Sequence, residues 1–289
     1  MVKKLMKKLS FLTFLVLILP LHNANADIIQ YIRVEPTTID EFTNRATKLK
    51  QNDALPLTSK VYLDNPLNTV YSGIGRVFND SKYVDGTGFV IDDYTYLTST
   101  HVVDNNDASK RYEQPDVTKI KFQPAVQHGK VHYTFTAKDI KFITNTDIAI
   151  VHTTQKITND KIRPIKLATP EEVNALKIGD KIHIAGYPKN NENTLMNDMY
   201  WSTGVYLGRA ENKLVDNNGN LISNTQTMVT LQSALTEYGS SGSPVMNKNY
   251  RVFGVHSASW GNNDPGSVQL TGGGLIDGYI RTKILENMK

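Results

Sequence analysis

The chain has 289 residues, enough for one or two domains with a substantial core, and its 21% charged and 39% hydrophobic content is ordinary for a globular protein. It contains no cysteine, which excludes thiol catalysis, thiolate metal sites and a disulfide framework. The formal charge of +4 equals the contribution of Lys3, Lys4, Lys7 and Lys8, so the basic balance argues for neither nucleic-acid nor membrane binding.

Those four lysines open residues 1–26, which read as a secretory signal peptide. A short apolar run over residues 9–21 comes next, and Ala24-Asn25-Ala26 is a small-residue cleavage site. The apolar run is too short for a comfortable membrane span. The expectation is a secreted, extracellular protein with no membrane contact after processing and a mature start near Asp27. Residues 27–60 lack the strong strand pattern of the later chain and are expected to be a propeptide or an N-terminal arm, the propeptide being favoured. Thr37-Thr38-Ile39-Asp40-Glu41-Phe42 supplies a cap and an acidic first turn for a helix reaching about Lys50. The stretch Ser59-Lys60-Val61 offers a processing point.

From about residue 70 the sequence is a series of short strands with turn chemistry between them. Strands are expected at 74–78, 86–91, 94–100, 119–123, 132–135, 140–143, 148–153, 181–187, 200–208, 228–232, 244–246, 252–257 and 273–276. This density predicts an all-β protein, sandwich or barrel. Asp216-Asn217-Asn218-Gly219-Asn220 and Asn247-Lys248-Asn249 are hairpin-turn signals. Thr169-Pro170-Glu171-Glu172 opens a short helix, with Pro at its first position. Ile280, Ile284, Leu285 and Met288 stand at helical spacing and predict a helix closing the chain. A boundary at residues 154–175 divides the strands into two halves of about 100 residues each.

Three residues carry the candidate chemistry. His101 ends one strand, Asp147 precedes the apolar strand Ile148-Ala149-Ile150-Val151, and Ser241 sits in the loop Gly239-Ser240-Ser241-Gly242-Ser243-Pro244. Singly, each has a structural explanation: a strand-end histidine, a turn-capping aspartate, a Ser/Gly hairpin loop. Together they stand in one of the chain orders in which a Ser-His-Asp triad occurs, with His and Asp in the first half and Ser in the second. A serine hydroxyl is a weak nucleophile at neutral pH and needs an adjacent base. An α/β-hydrolase nucleophile elbow is a poor alternative. It needs Gly-x-Ser-x-Gly, whereas the fifth residue here is Ser243, and it needs the acid and base after the serine.

Thr98-Ser99-Thr100-His101-Val102-Val103, Thr146-Asp147-Ile148-Ala149-Ile150-Val151 and the Ser241 loop resemble the three catalytic motifs of chymotrypsin-fold serine proteases. Gly75, Thr87-Gly88-Phe89-Val90, Gly186-Tyr187-Pro188 and Gly254-Val255-His256-Ser257 look like the bacterial glutamyl endopeptidase branch, which includes V8-type proteases, their enterococcal relatives and the staphylococcal exfoliative toxins. The resemblance covers roughly residues 70–285. It implies two six-stranded antiparallel β-barrels, over residues 61–165 and 166–289, with a C-terminal α-helix. It implies His101 as general base, Asp147 as its orienting partner and Ser241 as nucleophile, with the N–H groups of Gly239 and Ser241 forming the oxyanion hole. Thr236 and His256 would recognise a substrate Glu at P1, and Asp less well, while Ser257, Ala258 and Ser259 would pair with an extended peptide. Leu235 stands where trypsin-like relatives carry the aspartate that attracts Lys or Arg.

Two departures matter. Ser240 replaces the aspartate that pairs with the freed N-terminal amine in trypsin-like zymogens, so that activation switch is absent. In V8-type enzymes the mature N-terminal amine helps bind the substrate Glu, whereas exfoliative toxins keep an N-terminal helix and cleave very few targets. The expectation is therefore a monomeric secreted endopeptidase, made as a zymogen trimmed by an activating protease, acting on proteins or peptides with P1 Glu and needing no cofactor or metal. The alternatives are a toxin-like protease with one host target and a catalytically idle protease-fold binding protein.

Overall fold

Short strands with glycines at their close approaches close into two barrels in the computed structural model of the protein. It describes residues 36–51, 61–82, 84–105, 110, 112–190, 193–212, 227–260 and 268–289. In chain order the elements are α1 (Pro36–Gln51), β1 (Val61–Tyr62), β2 (Ile74–Asn79), β3 (Val84–Val90), β4 (Thr95–Ser99), α2 (Thr100–Val103), β5 (Ile120–Pro124), β6 (Phe135–Ile143) and β7 (Ile148–Thr153). After these come α3 (Pro170–Asn174), β8 (Lys181–Gly186), β9 (Tyr200–Asn212), β10 (Thr227–Ser233), β11 (Pro244–Asn247), β12 (Val252–Trp260), β13 (Leu270–Leu275) and α4 (Gly278–Glu286). The predicted signal peptide and the turn at residues 216–220 lie outside the described residues.

The first barrel runs β2-β3-β4-β7-β6-β5 and closes by pairing β2 with β5, Gly75 opposite Pro124. The second runs β8-β9-β10-β13-β12-β11 and closes by pairing β11 with β8, Val245 opposite Ile184. All these pairings are antiparallel, so the chain has the expected all-β class with two six-stranded barrels and a C-terminal helix.

The β7 sequence shows why its apolar run is continuous rather than alternating. Side chains alternate across a strand. Ala149 and Val151 fill the first barrel with Val77, Val90, Tyr96 and Phe122, where the Tyr96 and Phe122 rings stack 4.4 Å apart. Ile148 and Ile150 point the other way, into an apolar layer shared with Tyr187, Met199, Val255 and Ile276 from the second half. A strand buried on both faces cannot carry polar alternation. The chain passes from one barrel to the other between Ile165, whose N–H donates to Val90 at 2.8 Å, and Ala168, whose N–H donates to Val252 at 2.8 Å.

The termini differ from expectation. Helix α1 starts at Pro36, ahead of the expected cap, and Asp40 and Glu41 fall beyond its first turn. It packs on the second barrel through buried Phe42 and Ala46, against Val205, Leu207, Leu231 and Leu270. Arg45 Nη1 donates to the Leu207 carbonyl beside Gly208, where an added Cβ would lie 2.9 Å from Phe42. Residues 61 and 62, expected to belong to the first barrel and not expected to form a strand, are β1, which pairs with β9, Val61 opposite Trp201. The strand expected at 140–143 begins earlier, at Phe135, as β6, bulged between Ala137 and Asp139 opposite β7, while residues 132–134 of the other expected strand lie outside any strand. Helix α4 is capped by the Asp277 carboxylate on the Ile280 N–H at 2.9 Å and buries Ile280 and Ile284, while Leu285 faces outward. It stops at Glu286 because the tail turns onto the first barrel. The Asn287 carbonyl meets His152 Nε2 at 2.6 Å, and the Lys289 N–H donates to Asp92 at 3.0 Å.

The docked face of α1 gives a stability prediction. Phe42→Ala empties an apolar site 4% exposed and should cost about 3 kcal/mol, read as a lower urea midpoint at unchanged slope. A loss under about 0.5 kcal/mol would mean that the helix adds little to the fold.

Candidate active site

Strand register brings His101 and Asp147 together. Ser99, the last residue of β4, pairs with Ile148, the first of β7. The next two residues after Ser99 and the one before Ile148 therefore share one barrel end. The Asp147 carbonyl accepts from the Thr100 N–H at 3.1 Å, and its carboxylate accepts from the His101 N–H at 3.1 Å and meets His101 Nδ1 at 2.6 Å. Asp147 is thus held by the short α2 turn that it orients, and its side chain is 1% exposed against 23% for His101. The β6–β7 turn is fixed locally, with the Thr146 hydroxyl donating to Ile143 and accepting from the Ile148 N–H. On the far side, Lys82 Nζ donates to the His101 carbonyl at 3.0 Å and pairs with buried Asp104. This pairing, which no sequence motif signals, holds the histidine turn down.

Ser241 arrives on the loop between β10 and β11. Its carbonyl accepts from the Thr87 N–H at 2.7 Å, and the Gly242 N–H donates to the His256 carbonyl at 2.8 Å. Gly242 has φ +90°, and a Cβ there would lie 1.9 Å from the Thr87 carbonyl oxygen, so only glycine fits. Gly86 is the spacer where the histidine turn meets the serine loop: an added Cβ would lie 2.6 Å from Val102 and 3.0 Å from the Ser241 carbonyl. The Ser240 N–H donates to Glu237 at 3.0 Å, and the Ser240 hydroxyl accepts from the Glu237 N–H at 3.3 Å. The loop is closed by its own serine where a zymogen aspartate would stand.

The N–H groups of Gly239 and Ser241 flank that bonded Ser240 N–H, and neither donates to a backbone carbonyl among the described residues. The Tyr238 carbonyl accepts from the Lys189 N–H at 2.6 Å. In a trans peptide C=O and N–H point opposite ways, so the Gly239 N–H points away from Lys189. Gly239 adopts φ +85°, with Met196 packed beneath it. Two N–H groups offered on one loop can receive an oxyanion.

The predicted specificity residues gather beside this loop. The Thr236 and Ser259 hydroxyls are 2.7 Å apart. Gln269, which sequence reasoning misses, holds Thr236 from both sides: its Oε1 accepts from the Thr236 N–H at 2.7 Å and its Nε2 donates to the Thr236 carbonyl at 2.9 Å. A side-chain amide here continues the β10–β13 ladder past its last backbone pair, and no spacing or motif signals it. His256 is fully buried. Burial first, then the nearby His101, push its pKa down to about 3, against smaller upward effects of Asp147 and of hydrogen bonding to the Gly272 backbone. Its imidazole is neutral at ordinary pH. Ser257 falls at a register shift between His256 and Ala258, and residues 258–260 pair with β13 on one side while lying beyond the end of β11 on the other. That edge can accept an extended peptide. No group of three or more His, Asp or Glu residues suited to a metal occurs among the described residues.

This geometry, two closed antiparallel barrels with a His–Asp pair on one and a serine loop from the other, defines a chymotrypsin-fold protein. The sequence matches the Trypsin family over residues 72–273, and the chain belongs to that family of serine endopeptidases. A Glu endopeptidase structure matches with TM-score 0.57 at 19% identity, covering 78% of this chain and 94% of that one. The protease Anisep from Arthrobacter nicotinovorans matches with TM-score 0.54 at 15% identity, over 78% and 96% of the two chains. A scabies mite inactivated protease paralogue, S-D1, matches equally well, with TM-score 0.54 at 15% identity and the same coverage of each chain. At such identities the likeness is one of fold.

The buried histidine sets a pH dependence. Above about pH 6.5 this residue is neutral in both the unfolded and the folded states. As pH falls toward about 3, the unfolded chain takes up a proton that the folded site refuses, so stability declines by up to about 1.4 kcal/mol per pH unit. His256→Gln should flatten this acid limb in urea unfolding followed from pH 7 to 4. An unchanged slope would show that His256 is protonated when folded.

Proposed function

We propose that the chain is a secreted serine endopeptidase that cleaves after Glu, and less well after Asp, through an acyl-enzyme. Ser241 attacks the scissile carbonyl. His101 takes its proton and returns it to the leaving amine, while Asp147 fixes the imidazole tautomer and stabilises the imidazolium. The N–H groups of Gly239 and Ser241 receive the oxyanion. The observation that carries this reading is the 2.6 Å contact between His101 Nδ1 and a carboxylate that is itself anchored to the histidine turn. A binding protein would have no use for that arrangement beside a serine held on a glycine loop.

The Glu preference rests on a pocket of neutral donors. Two paired hydroxyls share one hydrogen bond and leave one proton to donate, and His256, kept neutral by burial, adds no charge of its own beside them. Leu235 provides no countercharge for a basic P1 residue. The Glu endopeptidase among the structural neighbours is consistent with this assignment. A toxin-like protease of narrow specificity is the second reading, favoured by the docking of α1, which gives residues 36–51 a place in the folded molecule.

The test incubates the secreted protein and its Ser241→Ala variant with a peptide library, with cut sites read by mass spectrometry. Cuts after Glu that fall by about 10⁴-fold or more in Ser241→Ala are expected. Cuts after Lys, Arg or large apolar residues would overturn the pocket assignment, and equal cutting by both proteins would overturn Ser241. Gln269→Leu should raise KM for P1-Glu peptides about tenfold with little change in kcat, because it loosens Thr236 without touching the triad. A fall in kcat at constant KM would place Gln269 outside the pocket.

A further inference from the structure

The two N–H groups assigned to the oxyanion are useful only if the loop cannot turn them away, and a side chain of the opposite barrel restricts that freedom. We propose that Thr87 is a positioning residue for the oxyanion hole, its hydroxyl locking the Gly239–Ser240 peptide from across the barrel joint. The inference rests on the serine-endopeptidase reading of Ser241.

Thr87 is fully buried on β3. Its N–H donates to the Ser241 carbonyl at 2.7 Å, and its carbonyl accepts from the Thr98 hydroxyl at 2.6 Å. A hydroxyl has one proton to give and lone pairs to receive. The Thr87 hydroxyl accepts from the Tyr187 N–H at 3.0 Å, which directs its single proton to the Gly239 carbonyl, 2.9 Å away. One residue thus grips the carbonyls on both sides of Ser240, and the Ser240 N–H is held by Glu237.

Gly239 is where the loop needs this restraint. It has no side chain, and at φ +85° it can rotate more freely than any other residue type would there. Lys189 fixes the peptide before it through the Tyr238 carbonyl, and Thr87 fixes the peptide after it. With both neighbouring planes pinned, the Gly239 N–H has one direction left. The Thr87 backbone bonds do not involve its side chain and are retained in Thr87→Val, whereas the Gly239 bond depends on the hydroxyl alone. The two contributions can therefore be separated.

The experiment compares wild type, Thr87→Val and Thr87→Ser on a P1-Glu peptide, and measures inhibition by a P1-Glu peptide aldehyde, whose hemiacetal oxygen occupies the oxyanion position. Valine keeps the volume and loses the hydroxyl; serine keeps the hydroxyl. Thr87→Val should lower kcat about 10–100-fold with KM within about twofold, and should weaken the aldehyde by the same factor, because a misdirected donor is lost only in the transition state. Thr87→Ser should stay within about threefold of wild type. Wild-type kcat in folded Thr87→Val, or an equal loss in Thr87→Ser, would overturn the proposal, as would a loss confined to KM. If the valine variant does not fold, a folded Thr87→Ala must show the same kcat loss, and wild-type kcat there would also overturn it. Hydrolysis by wild type that Ser241→Ala abolishes establishes the parent reading independently, and failure of that control overturns both.

Discussion

The approach of the Ser241 loop to strand β3 is the contact on which the site depends. The backbone of residues 239–242 lies so close to Thr87 and Thr98 that no side chain fits at Gly242, and the bonds made there run from one barrel to the other. Neither barrel holds all of the proposed site. The first presents a histidine and an aspartate at the open ends of β4 and β7, and the second presents a serine on a loop with little regular structure of its own. Close packing between the barrels converts these separate turns into one rigid arrangement, because packed interiors resist small displacements. The shared apolar layer of Ile148, Ile150, Tyr187 and Val255 is what keeps Thr87 within bonding distance of Gly239. Stability and chemistry meet at the same surface.

The proposed pocket handles charge without a countercharge. Burying a carboxylate is costly unless hydrogen-bond donors replace its water. A cationic histidine would supply attraction but would itself have to be desolvated, and the burial that holds His256 neutral shows which effect wins. The remaining resource is a set of fixed neutral donors. Their effect depends on position more than on charge, which gives meaning to the paired hydroxyls of Thr236 and Ser259 and to the amide of Gln269 behind them. Orienting donors in advance avoids the cost of reorganising them when substrate binds.

Much of this is legible in the sequence, for identifiable reasons. Period-2 strands and turn residues show the all-β class, and His101, Asp147 and Ser241 each sit where a local signal is strong: a strand end, the start of an apolar run, a glycine-flanked serine. The misses are of another kind. Thr87 stands in a recognisable motif, but its hydroxyl bond joins residues 152 positions apart, and no periodicity encodes that. Gln269 acts through a side chain that imitates backbone. Val61 and Tyr62 are too short a run to show a strand pattern, and their pairing with β9 is a tertiary outcome. Residues 132–135 look like a strand of their own, yet only Phe135 joins the ladder, and β6 runs on from there through a bulge to Ile143.

The ends of the chain complete the logic of a fold without cysteine. At one end α1 covers an apolar face of the second barrel with Phe42 and Ala46. At the other, residues after α4 reach back to the first. His152, buried on β7, meets Asp139 through Nδ1 at 2.5 Å and the Asn287 carbonyl through Nε2 at 2.6 Å, and Lys289 Nζ closes on Asp139 at 2.7 Å. Burial pushes the Asp139 carboxyl up, but hydrogen bonds from Lys289 and His152 together hold it below its ordinary value. A carboxylate between two donors on the barrel wall is a polar clasp, where many small extracellular domains use a covalent one. It fastens the tail beyond the second barrel onto a strand of the first, β7, whose opposite end begins beside Asp147. The strand that follows the histidine's carboxylate partner thus also holds residues 287–289 against the first barrel.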